Sequence, residues 1–336
     1  MKHRVRLLAA IGLVASIAAC GSGSGAPVRV TIPQGANLRV AADSLSRAGV
    51  VAYPRLFRIY ASMRRGDRGI RAGTYMLRPH EGWGTVLDAL RRGKGLVHVV
   101  TIPEGYAISQ IAPLLATKLG QPEDSVAAAV SDSALLHQLD VPTKTLEGYL
   151  FPDTYIFPDG TGARAAVDMM VRRFEQVWKP EWTARLDTLH LSRNDVMALA
   201  SIVEKEARLP EERPVIAAVY MNRLRDGIPL QADPTVQFAL GKHVARVYYK
   251  DLDVESPYNT YKHKGLPPGP IASPGKPSIE AALYPANVPF IYFVAFPDGH
   301  HEFRRDLAGH EKAKLEARKA WDSLESVRRT DSSRAK

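Results

Sequence analysis

Two near-identical hexapeptides set the first constraint on this fold. Val30-Thr31-Ile32-Pro33-Gln34-Gly35 returns seventy positions later as Val100-Thr101-Ile102-Pro103-Glu104-Gly105. Each copy reads as a β-branched strand that stops at a Pro and Gly turn. A helical pattern follows each one. It runs through Leu38, Ala41, Ala42, Leu45 and Ala48 after the first copy. After the second it runs through Ile108, Ile111, Ala112 and Leu115, although Pro113 argues against a long helix there. Between the copies, residues 73–77 read as a strand and 85–92 as a helix with Thr85 as its N-cap. Residues 27–120 therefore form small strand–helix modules.

The rest of the chain has a different rhythm. Residues 123–139 read as one helical stretch. Residues 163–178 read as another, with Ala166, Met169, Met170 and Phe174 at helical spacing. Residues 226–289 are rich in Gly, Pro, Asn and Tyr and suggest ordered loops. Residues 290–295 form a strand of the buried type, and 308–324 a terminal helix of mixed charge. The tail 326–336 is expected to be disordered. The fold class is α+β: strand–helix modules, then a mixed helical, loop-rich domain over 121–325. The modules have the size of LysM-type glycan-binding units. The plainer alternative is that VTIPxG is good strand-to-turn chemistry used twice.

The first twenty residues carry an export signal. Lys2, Arg4 and Arg6 precede a short apolar run, Leu7 to Ala19. That run is too short to span about 30 Å of hydrocarbon at ~1.5 Å per residue. It suits the h-region of a signal peptide. The run ends Ile17-Ala18-Ala19-Cys20, which resembles a bacterial lipobox with Cys20 as the lipidated residue. Residues 21–26 would then be a flexible tether. The alternative is a plain cleavable signal, or a poor transmembrane anchor, with Cys20 incidental. Cys20 is the single cysteine, which excludes an internal disulfide framework. The formal charge is +10, from 45 Lys and Arg against 35 Asp and Glu. In an exported chain this points to envelope polymers or lipid headgroups and away from nucleic acid.

One helix holds the candidate acid. Ser192 reads as an N-cap, with Asp195 completing a near capping box. At ~100° per residue, Val196, Leu199, Ala200, Ile202, Val203 and Ala207 share one apolar arc. Glu206 falls inside that arc, Glu204 on its edge, and Lys205 on the water side. Desolvation raises the pKa of a carboxylate in such a place, as a general acid near neutrality requires. The alternative for Glu206 is a buried ion pair, for example with Arg223.

The surrounding motifs sharpen this picture. Residues 199–206 read Leu-Ala-Ser-Ile-Val-Glu-Lys-Glu, followed by Tyr220-Met221-Asn222-Arg223-Leu224. Then come Leu230-Gln231-Ala232-Asp233-Pro234-Thr235, Tyr258-Asn259-Thr260-Tyr261 and the Pro/Gly run 265–275. With Glu147-Gly148 upstream, the chain resembles the endolytic murein transglycosylase, or YceG-like, family over roughly residues 28–320. The resemblance implies a membrane-anchored bacterial enzyme with a LysM-like N-terminal part. It would face the periplasm, act near the cell-wall synthases and cleave nascent peptidoglycan strands to 1,6-anhydroMurNAc ends. It also implies Glu206 as the catalytic glutamate. Ala232, Glu311 and the lipobox-like anchor depart from the family's usual pattern.

Other residues keep two readings. Asp233, with Thr235 beyond it, either contacts sugar or starts a helix. Glu147 either contacts sugar or pairs with a base such as Lys144. Tyr258, Asn259 and Thr260 offer hydrogen bonds and an aromatic surface for glycan, or a turn. The run 265–275 suits a rigid cleft wall. His300, His301 and His310 lack metal-ligand spacing, so no metal or cofactor is expected. A hydrolytic muramidase and a non-catalytic wall-binding lipoprotein remain as rival functions.

Overall fold

A computed structural model describes residues 23, 25–65, 69–241 and 247–334. The signal segment 1–20 with Cys20 lies outside them. The chain forms two units: residues up to Val100 with Thr154–Gly162, and Thr101–Asp153 with the chain from Ala163 onward.

The first unit builds on β1 (Val28–Ile32), α1 (Leu38–Arg47), α2 (Pro54–Met63), β2 (Gly73–Leu77), α3 (Trp83–Arg92), β3 (Leu96–Thr101) and β4 (Thr154–Pro158). Its sheet has the order β1-β2-β3-β4. β1 and β2 pair antiparallel from Val28↔Leu77 to Ile32↔Gly73, and β2 and β3 pair antiparallel through Thr74↔Val97. Val30, Ile32, Tyr75 and Leu77 point into a core completed by Leu45, Phe57, Trp83 and Leu90. Asn37 caps α1 by accepting from the Val40 N–H at 3.1 Å. α3 starts at Trp83, ahead of the expected Thr85 cap, because burying the indole extends the helix.

Only the first hexapeptide keeps its strand, turn and helix in this unit. The second contributes β3, and its helix α4 (Ile108–Leu119) belongs to the other unit. The division therefore falls at Val100 and not at residue 120. The chain returns at 154–162 to supply β4, with the Asp159 N–H bonded to the Leu96 carbonyl at 2.9 Å. That pairing is non-local, so no local pattern announces it. Pro113 sits inside α4. Burial of Ile111 and Leu115 outweighs its missing donor.

The second unit continues with α5 (Glu123–Ala129), α6 (Ser133–Gln138), α7 (Ala163–Val177), α8 (Pro180–Leu189), α9 (Arg193–Glu206), α10 (Arg213–Arg225), α11 (Asp233–Ala239) and α12 (Lys276–Leu283). β5 (Tyr292–Ala295), β6 (His301–Arg304) and α13 (Leu307–Arg334) follow. The stretch expected as one helix over 123–139 breaks in two. Asp132 starts the second half by accepting from Ala134 N–H at 3.0 Å and Leu135 N–H at 3.1 Å. The expected loops of 226–289 contain α11 and α12, each opened by a proline in its first turn. β5 is half-buried and pairs antiparallel with β6. α13 runs on to Arg334 where a disordered tail was expected, since no Gly or Pro follows Gly309 to stop it.

α9 lies at the centre. Ser192 and Asp195 form the expected capping box, with the Asp195 carboxylate accepting from Ser192 N–H at 2.9 Å. Residues 196–203 are fully buried on every side of the helix. Among the described residues, no helix is long and apolar enough to cross a membrane.

Candidate active site

The last turn of α9 sends three consecutive side chains in three directions, as ~100° per residue requires. Glu204 points at the start of α12. Its Oε2 accepts from Gly275 N–H at 3.1 Å and Ser278 Oγ–H at 2.7 Å, and Arg213 lies 3.8 Å from Oε1. Lys205 donates to the Gly105 carbonyl at 3.2 Å. Glu206 alone faces a cavity of about 410 Å³.

Tyr220, Arg223, Gln231, Asp233, Tyr261, Tyr292, His310, Glu311 and Lys314 share that cavity with Glu206. Tyr220, on α10, donates its hydroxyl hydrogen to Glu206 Oε1 at 2.9 Å. Tyr261 donates to Asp233 Oδ1 at 2.6 Å. Arg223 is committed elsewhere. Its guanidinium bonds the carbonyls of Pro229 at 2.9 Å and Ile291 at 3.2 Å, and Gln231 Oε1 at 2.6 Å. The expected alternative of a Glu206–Arg223 ion pair is therefore not what the fold builds. The Arg223 cation lies over the Tyr292 ring, 5.6 Å from its centre, and the His310 ring stacks on Tyr292 at 4.8 Å.

Burial pushes the Glu206 carboxyl up to about 7; the Tyr220 hydrogen bond opposes the rise and the Asp233 charge adds to it. Its position at the C-terminal end of α9, where unpaired carbonyls point, disfavours the anion further. The side chain is only half-buried by exposure. It is packed about by protein yet open to the cavity. Burial also lowers the pKa of His310, whose Nδ1 has no hydrogen-bond partner among the described residues. A proton-bearing carboxyl beside aromatic and hydrogen-bonding side chains suits acid catalysis on a sugar polymer.

The other sequence candidates lie elsewhere. Glu147 is buried, and both carboxylate oxygens lie 3.1 Å from Ile108 N–H, capping α4. Burial raises its pKa to about 7 as well, but it neither lines the cavity nor pairs with Lys144. Gly148 has φ +82°, and a Cβ there would stand 2.3 Å from Pro270 Cβ. The Glu147-Gly148 motif thus joins α4 to the Pro/Gly run. That run does not wall the cavity. It braces α9, through Ile271 N–H to Ser201 Oγ at 3.0 Å and Asn194 Nδ2–H to the Pro268 carbonyl at 2.9 Å.

Thr235 and Thr260 are buried, with hydroxyls 2.9 Å apart, and Thr260 accepts from Ala232 N–H at 3.0 Å. Asn259 is buried and donates to the carbonyls of Leu252 at 2.8 Å and Val254 at 2.9 Å. Tyr258 packs on Phe238 at 4.7 Å. These four hold the loop that presents Tyr261 and Asp233, and they do not line the cavity. Asp233 begins α11 at its first position, with Ala232 as the cap, so its carboxylate is free for Tyr261. Tyr220, Arg223 and Tyr261 line the cavity beside Glu206 and Asp233, and all three stand inside motifs named above. Tyr292, Phe293, Leu307, His310 and Lys314 line it from outside those motifs. Among the described residues, no cluster of His, Cys, Asp or Glu has metal-binding geometry. His301 is held by Glu212 at 2.6 Å.

The YceG-like family model matches residues 30–316. The chain belongs to the YceG-like family. It is 36% identical to the endolytic murein transglycosylase of Bacillus subtilis over 306 residues, 85% of this chain and 84% of that protein. It is 30% identical to the endolytic murein transglycosylase of Streptococcus pneumoniae strain D39 over 327 residues, 86% of this chain but 59% of that longer protein. Among solved structures it is similar to a putative yceG-like protein of Listeria monocytogenes. That match has a TM-score of 0.63 and 32% identity, and covers 86% of this chain and 99% of the other. The family match spans both units. Of the departures noted in the sequence, Ala232 is buried away from the cavity and Glu311 lines it.

Proposed function

We propose that this chain is an endolytic murein transglycosylase, a lyase that cleaves within peptidoglycan glycan strands. The observation that carries it is Glu206: one carboxyl, its pKa raised to about 7, presented to a cavity and held by Tyr220. Because Tyr220 occupies Oε1, the acidic proton resides on Oε2. Protonated Glu206 gives this proton to the glycosidic oxygen as the MurNAc C1 becomes oxocarbenium-like, and the C1–O bond breaks. The resulting carboxylate takes the proton of the MurNAc C6 hydroxyl, whose oxygen bonds to C1. The products are a 1,6-anhydroMurNAc end and a free GlcNAc 4-hydroxyl, with no water consumed. The internal nucleophile gains from proximity. The negative charge of Asp233 favours the cationic transition state.

Asp233 and Glu311 also line the cavity and favour a second reading, a hydrolytic muramidase, since hydrolases pair two carboxylates. Digestion of purified peptidoglycan separates the readings. Anhydro ends support the lyase, reducing ends the hydrolase, and binding without cleavage a wall-tethering role. Glu206→Gln abolishes cleavage on this reading; full activity in that variant sends the assignment elsewhere.

The finer reading is an enzyme held at the outer face of the bacterial inner membrane by a lipid on Cys20. The first unit would serve as a LysM-like glycan-binding part, and the enzyme would work beside the synthases on nascent strands. Export is supported by residues 1–20 and the cell-wall role of the relatives. Mass spectrometry of the mature N-terminus tests the anchor, and glycan pull-down by the full chain carrying Glu206→Gln tests wall binding.

A further inference from the structure

The helix α2 in the first unit is apolar on two faces. Phe57 and Ala61 are fully buried in the core. A second face carries Leu56, Ile59 and Met63, at spacings of three and four, 37%, 57% and 67% exposed. Tyr53, the N-cap, is 59% exposed. No other helix here clusters exposed large apolar side chains in this way; elsewhere among the described residues they stand singly or as the pair Tyr248 and Tyr249. Residues 51–65 also hold four arginines, Arg55, Arg58, Arg64 and Arg65, and no Asp or Glu. Arg55, Arg64 and Arg65 are exposed.

An apolar stripe flanked by arginines suits the boundary of a negatively charged bilayer. The apolar side chains enter the headgroup zone and the guanidinium groups meet phosphates. The chain length upstream makes the encounter geometrically available. Arg78 donates to the Gly25 carbonyl at 2.8 Å, fastening the tether to this unit. Gly25 lies five residue steps after Cys20, so an anchored chain holds that point within about 16–18 Å of the attachment atom.

We infer that the exposed face of α2 seats on an anionic bilayer surface, giving the first unit a second membrane contact beside its tether. The leash length rests on the anchor reading proposed above, while the stripe and its arginines stand without it. A singly anchored unit would bind such a surface weakly through either signal alone, and the two together reinforce each other.

The test uses the full chain with Ile59→Trp, reconstituted in vesicles of brominated phosphatidylglycerol and phosphatidylcholine. Leu315→Trp, at a lone exposed apolar site on α13, is the control. The added emission of Ile59→Trp should be quenched severalfold and shifted to the blue. That of Leu315→Trp should be unchanged. Adding Arg55→Gln and Arg58→Gln, or omitting the anionic lipid, should restore most of the lost emission. If the chain floats with the vesicles but Ile59→Trp stays unquenched, the anchor stands and the seated helix does not. If the chain fails to float at all, both readings fall. A blue shift without quenching, growing with protein density, would mean that a second copy covers the face and would overturn the proposal.

Discussion

Glu206→Gln should make the protein more stable in alkaline solution while removing its activity. An ordinary glutamate ionises near 4.5, whereas Glu206 ionises at about 7. Between those pH values the folded chain keeps a proton that the unfolded chain has released. Stability therefore falls as pH rises through that window and stays lower above it. At ~1.4 kcal/mol per pH unit, the full loss is about 3 kcal/mol. Glutamine matches the protonated acid in shape and still accepts the Tyr220 hydrogen bond, so the variant escapes the loss. Glu147 also ionises at about 7, but it is present in both proteins and cancels. Thermal unfolding of both at pH 4 and pH 8.5 measures the effect. The two should melt close together at pH 4. At pH 8.5 the variant should lead by roughly 6–12 °C, given ~2–4 °C per kcal/mol for a unit of this size. A stability difference that does not change with pH, or that favours the wild type at pH 8.5, refutes the claim that this carboxyl resists ionisation.

Three further outcomes follow from the same geometry. Tyr220→Phe removes the bond that favours the Glu206 anion, so the alkaline limb of the pH–rate profile should move up by about one pH unit, as charge-assisted bonds of ~1.5–3 kcal/mol permit; an unmoved limb would mean the tyrosine does not touch the working acid. Glu147→Ala strips the cap from α4 and should destabilise by ~1–2 kcal/mol in a denaturant titration, with cleavage by the folded fraction unchanged. Thr260→Val leaves Ala232 N–H without its acceptor and should destabilise by ~1–3 kcal/mol. A rise in KM without loss of stability in that variant would instead return Thr260 to the sugar.

Much of the site was legible because its motifs are short and local. The spacing of apolar residues along α9 places Glu206 inside the apolar arc but leaves a buried ion pair open, and it is the family resemblance that implies an acid there. The structure adds that residues 196–203 are buried all round, so the helix is a rigid post and only its last turn reaches a cavity. The Tyr258-Asn259-Thr260-Tyr261 motif was visible as well, but not which member faces ligand. A four-residue loop has no periodicity to say which side chains turn inward. Three of these residues support the loop, and Tyr261 meets Asp233.

What the amino-acid order settled alone was β1, β2, the helices α1, α7 and α9, the α9 capping box, and the placing of Glu206 on the apolar arc of that helix. These depend on dihedral preference, capping and periodicity over a few residues. Tertiary structure decided where the chain divides, because β4 pairs with β3 across more than fifty intervening residues. It also decided which groups surround Glu206. Tyr220, Asp233, Tyr261, Tyr292 and His310 come from separate stretches of the chain. Their convergence is a matter of packing, and packing between distant segments leaves no period in a sequence.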